Sequence, residues 1–293
     1  MSFEESDNDE VRIILMGKTG SGKSSLGNTL MGNDAFHVAR GMCSGTDKCQ
    51  HSFTQRLGQN LQVTDTPGVC DTHRSEVEVL KEVGKSLAVA APGPHIILMV
   101  LRCDRRFTKE EYDAYATLKR LFGDGICDHM LLVFAGIDSF GTSEEEQEEG
   151  LRHSVETAPK LLQEVLKDAK GRYCGVDNTA SHDHREHLAQ MLLAKIQSTI
   201  HQNQGQHFSS KLFEEVEEHM HDVILSRMQK DGIPFSEALR TTRTDVVTEK
   251  VEPNFFRKLL DIVGNAVLPI LKNLVKDAVV LSQFAASTYC SIM

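Results

Sequence analysis

Two kinds of hydrophobic patterning share this chain. Short, nearly continuous apolar runs occur at 11–16 (Val-Arg-Ile-Ile-Leu-Met), 94–101 (Pro-His-Ile-Ile-Leu-Met-Val-Leu) and 129–134 (His-Met-Leu-Leu-Val-Phe). Each is strand length and apolar on both faces, as a strand covered from both sides must be. Residues 60–64 and 172–178 read as further strands, and 49–53 as an edge strand. Between these runs the apolar residues recur every three or four positions. Leu26, Leu30 and Met31 mark one helix. Tyr112, Tyr115, Leu118 and Leu121 mark a second, spanning Phe107 to Phe122 and opened by Thr108-Lys109-Glu110-Glu111, and Leu188 to Ile200 marks a third. Strands alternating with helices predict an α/β domain around a mostly parallel sheet.

The pattern changes near residue 202. Gln202 to Gln206 reads as a linker, after which Leu212, Phe213, Val216, Met220, Val223, Ile224 and Met228 fall on one face of a helix ending near Gly232. Residues 233–254, polar and flanked by Pro234 and Pro253, read as a second linker. Farther on, Leu259, Leu260, Val263, Val267, Ile270, Leu271, Leu274 and Ala278 share a helical face, with Asp261, Asn265, Lys272, Lys276 and Asp277 largely opposite. That stretch is too polar to cross a bilayer. It reads as an interfacial helix bent at Pro269, with docking in a groove of the same protein as the alternative. The expected organisation is an acidic disordered tail over 1–10, a domain over 11–203, a helical extension over 204–232, a linker over 233–254 and an amphipathic segment over 255–293.

Chemistry enters between the first strand and the first helix, at Gly17-Lys18-Thr19-Gly20-Ser21-Gly22-Lys23-Ser24. This is G-x-x-x-x-G-K-[ST] in the strand–loop–helix setting that makes it a phosphate cradle. Gly17, Gly20 and Gly22 let the backbone curl so that successive N–H groups face inward at a helix N-terminus, with Lys18, Thr19, Ser21 and Ser25 completing the loop and first turn. Lys23 is expected to bridge the outer phosphates and Ser24 to ligate Mg²⁺. The chain therefore reads as nucleotide-binding. Asn33 to Thr46 is a polar loop in which Thr46, with Ser44 as its competitor, is the candidate for reaching Mg²⁺ and the γ-phosphate. Asp65-Thr66-Pro67-Gly68 closes a strand, placing Asp65 to hold a Mg²⁺-bound water and Gly68 to offer its N–H to the γ-phosphate. A phosphate loop followed by this motif favours GTP over ATP.

Two departures qualify that reading. Val69 follows Gly68 where Ras-like enzymes carry a water-orienting glutamine, so fast unaided hydrolysis is not expected. The base motif [NT]-K-x-D is reduced to Ala135-Gly136-Ile137-Asp138, leaving Asp138 alone to accept hydrogen bonds from guanine. Asp177 and Asn178, at the end of a strand, are candidates for contacts to base or ribose.

The segment 13–30, Ser44-x-Thr46-x-x-Cys49, Asp65 to Gly68, Arg106-Phe107-Thr108-x-Glu110-Glu111 and Arg172-Tyr173-Cys174 together resemble the immunity-associated (IMAP, plant avirulence-induced) GTPases over roughly residues 11–200. The resemblance implies a three-layer P-loop GTPase domain of the paraseptin type, followed by a helical extension. It also implies dimerisation across the nucleotide face and slow hydrolysis of GTP to GDP with Mg²⁺. In this chain the family's Thr-Arg/His-Lys-x-Asp is replaced by Ala135 to Ser139, and its Asn-Asn after Tyr-Cys by Asp177-Asn178.

Composition narrows the partners. A net charge of -10 argues against nucleic acid, since no excess of Lys or Arg is present to cover phosphates. Seven scattered cysteines without a C-x-x-C pair suit reduced thiols in the cytosol. The acidic N-terminus has no apolar core of a signal peptide, and Ser2 stands where N-myristoylation needs glycine. His182-Asp183-His184-Arg185-Glu186-His187 matches no tetrahedral metal spacing and reads as a solvated loop before Leu188. Arg106, and less so Arg105, is a candidate for stabilising phosphate charge across a dimer, the alternative being a solvated pair beside Glu110 and Glu111. Cys290-Ser291-Ile292-Met293 has the form of a farnesylation box on Cys290. The composite expectation is a guanine-nucleotide switch held on the cytosolic face of a membrane, with Arg106 and Thr46 as catalytic candidates. A GTP-dependent scaffold without productive turnover is the first alternative, and a degenerate lipid-anchored interaction module the second.

Overall fold

A computed structural model describes residues 10–38, 48–67, 76–178 and 182–270. Six strands form one sheet in the order β2-β3-β1-β4-β5-β6. They are β1 (Glu10–Met16), β2 (Gln50–Arg56), β3 (Gln59–Asp65), β4 (Ile96–Arg102), β5 (Met130–Ala135) and β6 (Tyr173–Val176). Only β2, at the edge, runs antiparallel to its neighbour. The apolar runs at 11–16, 94–101 and 129–134 are the three adjacent strands β1, β4 and β5, covered on both faces.

The period of two in those strands sorts their side chains into two layers. Ile13, Leu15, Leu98 and Val133 meet α1 (Lys23–Met31) and α6 (His182–Gln202) through Leu26, Leu30, Leu192 and Ile196. Ile14, Met16, Ile97 and Met99 face the opposite layer, built from α2 (Glu76–Ala90), α3 (Lys109–Phe122), α4 (Glu144–Glu156) and α5 (Lys160–Asp168). The result is a three-layer α/β domain with helices added at its C-terminal end. Arg12 interrupts the apolar run of β1 yet is buried, because its Nε donates to the Gly93 carbonyl at 2.6 Å and its backbone N–H to His95 Nδ1 at 3.0 Å.

The chain beyond α6 stays on the domain. Phe208 donates its N–H to the Pro94 carbonyl (2.8 Å) and its ring meets Phe122 and Phe213. α7 (Lys211–Asp231) then extends the α2–α3 layer through Phe213, Val216, Met220 and Ile224. Residues 233–254 are not the linker expected, because Phe235–Val247 forms α8. Its buried residues Phe235, Ala238, Leu239, Thr242, Arg243 and Val246 keep helical spacing, but two of them are polar and conceal the stripe. Arg243 is tolerated inside because it pairs with Glu10 at 2.8 Å and donates to the Ala91 carbonyl at 2.7 Å.

Two further expectations change. The histidine-rich segment is not a loop, since α6 begins at His182. Its first six residues, His182 to His187, are all polar, so they carry no apolar periodicity to read. The helix at 253–270 turns Leu259, Val263 and Val267 into the core rather than toward a membrane surface. A Cβ on Gly84 of α2 would lie 3.2 Å from Leu259 and 3.6 Å from Val263, so the glycine sets how closely the two helices pack. The docked alternative holds for this part, and 271–278 lies outside the described residues. Among the described residues no helix is long and apolar enough to cross a membrane.

Candidate functional site

The parallel strands end together, and the loops that follow β1, β3, β4, β5 and β6 share one rim of the sheet, the position at which open α/β sheets carry their ligands. At the centre of that rim the chain leaves β1 at Gly17. Its φ is +146°, and a Cβ would stand 2.4 Å from the Val100 carbonyl oxygen, so no other residue fits. The loop closes with Ser21 N–H donating to the Lys18 carbonyl (3.1 Å), and Gly22, at φ 102°, caps α1. No side chain caps that helix and its first turn holds no acidic residue, so its N-terminal N–H groups are left for an anion.

Lys23 is buried, and its ammonium donates to the carbonyls of Gly17 (3.0 Å) and Lys18 (3.1 Å). Burial lowers its pKa, and the charge of Asp65 works in the other direction. Ser24 Oγ donates to Asp65 Oδ2 at 2.6 Å. Asp65 is wholly buried at the end of β3, where Thr66 Oγ1 anchors the next turn by donating to the Leu15 carbonyl (2.7 Å). A hydroxyl and a carboxylate thus converge beside the uncapped helix, the hard oxygen set that suits Mg²⁺. Among the described residues no cluster of three His, Cys, Asp or Glu side chains forms a metal site.

The two sides of the loop are tied to other elements. Lys18 pairs with Glu110, in the first turn of α3, at 2.5 Å. Glu111 closes a capping box with Thr108. Glu110 and Glu111, beside which the alternative reading placed Arg105 and Arg106, are thus engaged with Lys18 and Thr108, and Arg106 is exposed without an ion pair among the described residues. On the other side, Asn178 Nδ2 donates to the Gly22 carbonyl at 3.3 Å, so this residue meets the phosphate loop itself. Asp138 is exposed on the short turn Ile137–Phe140 after β5, and Asp177 precedes Asn178 on the same rim. Thr19 and Gly20 are exposed at the loop tip and Ser25 is half-buried in α1. Ser44, Thr46, Gly68, Val69 and Cys290 lie outside the described residues.

One residue escaped the sequence reading. Arg102, the last residue of β4, donates from Nε to Asp104 Oδ1 at 2.7 Å and pairs through Nη2 with Oδ2. The sequence signal was an arginine ending an apolar strand, followed two residues later by Asp104.

A sequence model of the AIG1 family matches residues 11–227. Immune-associated nucleotide-binding protein 9 of Arabidopsis thaliana is 30% identical over 259 residues, covering 88% of this chain and 74% of that protein. Immune-associated nucleotide-binding protein 7 of the same plant is 36% identical over 173 residues, 58% of this chain and 54% of that protein. Among solved structures, a dimerization-deficient mutant of Toc33 from Arabidopsis thaliana superposes with a TM-score of 0.53 at 17% identity, covering 71% of this chain and 91% of that one, a likeness of fold. With the strand–loop–helix cradle, the Asp65 turn and the 11–227 match in agreement, the chain belongs to the AIG1 family.

Proposed function

We propose that this protein is a guanine-nucleotide switch that binds GTP or GDP with Mg²⁺ and hydrolyses GTP slowly, its turnover rising when two copies meet across the nucleotide face. The observation that carries the reading is the 2.6 Å contact between Ser24 and Asp65 beside the uncapped start of α1, with Lys23 inside the loop. Backbone N–H groups of the loop and of α1 hold the phosphates, and Lys23 faces their outer oxygens once its two carbonyl bonds are exchanged for phosphate. Ser24 and Asp65 hold Mg²⁺, which when bound neutralises charge on the outer phosphates. Asp138 accepts from the guanine N1 and N2 groups, and Asn178 steadies the loop from the base side.

Arg106 is the candidate that supplies what Val69 cannot. It sits exposed on the same rim, held near the phosphate loop by the Lys18–Glu110 pair, and is free to reach a partner's phosphates. The Toc33 neighbour is itself described as dimerization-deficient on loss of one arginine. Val69 also supports a second reading, a scaffold that binds GTP and assembles without turnover. Farnesylation of Cys290, and membrane attachment through that lipid, belong to the proposal as well, supported by sequence pattern. A Cys290→Ser protein that remains on membranes would sink that part.

The deciding experiment is turnover against protein concentration, with GTP and ATP in parallel. A specific rate that rises with concentration, prefers GTP and collapses in Arg106→Ala without loss of GTP binding is the expected result. Tight GTP binding with flat, negligible turnover would select the scaffold.

A further inference from the structure

Gly136 stands where [NT]-K-x-D carries its lysine, and a residue from the neighbouring strand fills the space. β4 and β5 pair so that Arg102 lies beside Ala135. A Cβ on Gly136 would lie 3.2 Å from Arg102 Nη2, 3.4 Å from Cζ and 3.5 Å from Nε, so the guanidinium lies nearly flat over the glycine. Asp104 fixes that plane through the two parallel contacts to Nε and Nη2. The Arg102 side chain keeps 29% of its surface exposed. On the cradle side, a Cβ on Gly22 would lie 3.5 Å from Ala135 Cβ and 2.6 Å from Asn178 Nδ2. Gly22, Ala135, Gly136 and Arg102 thus follow one another in close contact from the phosphate loop toward the exposed Asp138, with Ala135 and Gly136 buried and the Arg102 guanidinium lying over the glycine.

Resting on the nucleotide-binding reading above, we propose that the guanidinium of Arg102, held flat by Asp104, is the platform on which the purine of the bound nucleotide packs. A guanidinium is planar, delocalised and weakly hydrated, which lets it stack on an aromatic face where an ammonium would stay with water. Stacking is indifferent to which purine is present, because every base offers a π face. The labour is therefore divided: Arg102 supplies affinity for the base, and Asp138 selects guanine. An isolated ion pair on an exposed surface contributes little to stability, so the fork with Asp104 has its main effect on orientation.

The test is a binding titration of the full chain with GDP, IDP and inorganic pyrophosphate, comparing wild type with Arg102→Ala, Arg102→Lys and Asp104→Asn. Thermal melting serves as the control for folding. The expected result is that Arg102→Ala weakens GDP and IDP alike, by about tenfold, and leaves pyrophosphate unchanged. Arg102→Lys should recover little of the loss, because an ammonium does not stack on the base, and Asp104→Asn should show the same pattern as Arg102→Ala more weakly. Unchanged GDP affinity in Arg102→Ala would overturn the inference, as would an equal loss for GDP and pyrophosphate, which would place the effect in the phosphate loop. A wild-type chain that binds pyrophosphate but no purine nucleotide would remove the base platform while leaving an anion site. A chain that binds neither would overturn the function reading together with it.

Discussion

At Lys23 one buried ammonium holds a loop of three glycines in shape through the carbonyls of Gly17 and Lys18. Replacing it removes both the loop's internal cation and the charge offered to phosphate. Lys23→Ala should weaken GDP binding by about 100-fold, the size of a charge-assisted contact, measured by fluorescence titration. Ser24 tests the metal separately. Its hydroxyl and Asp65 are preset at 2.6 Å, so chelation of Mg²⁺ by EDTA should speed GDP release from wild type. Ser24→Ala should release GDP rapidly with or without Mg²⁺, and a variant that keeps the wild-type response to EDTA would remove Ser24 from the metal site.

Among the elements, the junction between α6 and α7 has its own pH dependence. His95 at the foot of β4 and His207 in the connection lie beside Arg12 and each other, and His129 before β5 lies next to them with Asp128, Arg172 and Lys170 within its electrostatic reach. Burial, and then the Arg12 charge, pushes His95 down to about 2 and His207 down to about 4. Burial also lowers His129, against its hydrogen bond to the His95 carbonyl. These folded values lie below the ordinary 6.5, so the unfolded chain binds more protons in acid and stability rises with pH. The stabilisation is complete above about pH 6.5. For His207 the loss is at most about 1.4 kcal/mol per pH unit as the pH drops toward about 4, and His95 and His129 act in the same direction. Urea midpoints measured between pH 7 and pH 4.5 should fall with pH, and His207→Asn should make that fall shallower while His95 and His129 keep the remainder. α8 makes a second test at this scale. Arg243→Met should cost about 2 kcal/mol, less than a fully buried pair because Glu10 keeps some solvent. Nucleotide affinity should be unchanged.

For the whole molecule, an ionic network centred on the buried Lys85 joins the regions next to the nucleotide loops to the helices beyond α7. Lys85 of α2 is fully buried and contacts Glu82 and Glu249, each at 2.8 Å, while Glu82 also accepts from the backbone of Cys49 at 2.5 Å. Hydrogen bonds from Lys81 and Lys85 pull Glu249 down to about 2. Cys49 follows the loop proposed to sense the γ-phosphate, α2 follows the Asp65 turn, and Glu249 lies just past α8. The chain after residue 203 is thus part of the same core. A protein ending there loses Phe213, Val216, Met220, Leu259 and Val263 from the core they share with α2 and α3. It should melt at a lower temperature and scatter light as it aggregates, whereas independent domains would leave the melt unchanged.

Local chemistry alone determined the cradle and the central sheet. Only glycine fits at Gly17, the order Gly-Lys-Ser is required by phosphate and metal, and β1, β4 and β5 are apolar because both faces are buried. The Thr108–Glu111 capping box was equally legible, since its two partners are three residues apart. What lay hidden depends on partners distant in sequence. α8 was masked because Arg243 becomes a core residue only when Glu10 arrives, 233 positions away. The start of α6 was hidden because a run of polar residues has no apolar period, and α2, α4 and α5 were not assigned from the sequence. The stripe at 259–267 was visible, but an amphipathic face is the same whether lipid or protein covers it, and only the close approach of Gly84 decided for protein. The guanidinium over Gly136 needed both the β4–β5 register and the fork to Asp104, neither of which exists until the sheet has formed.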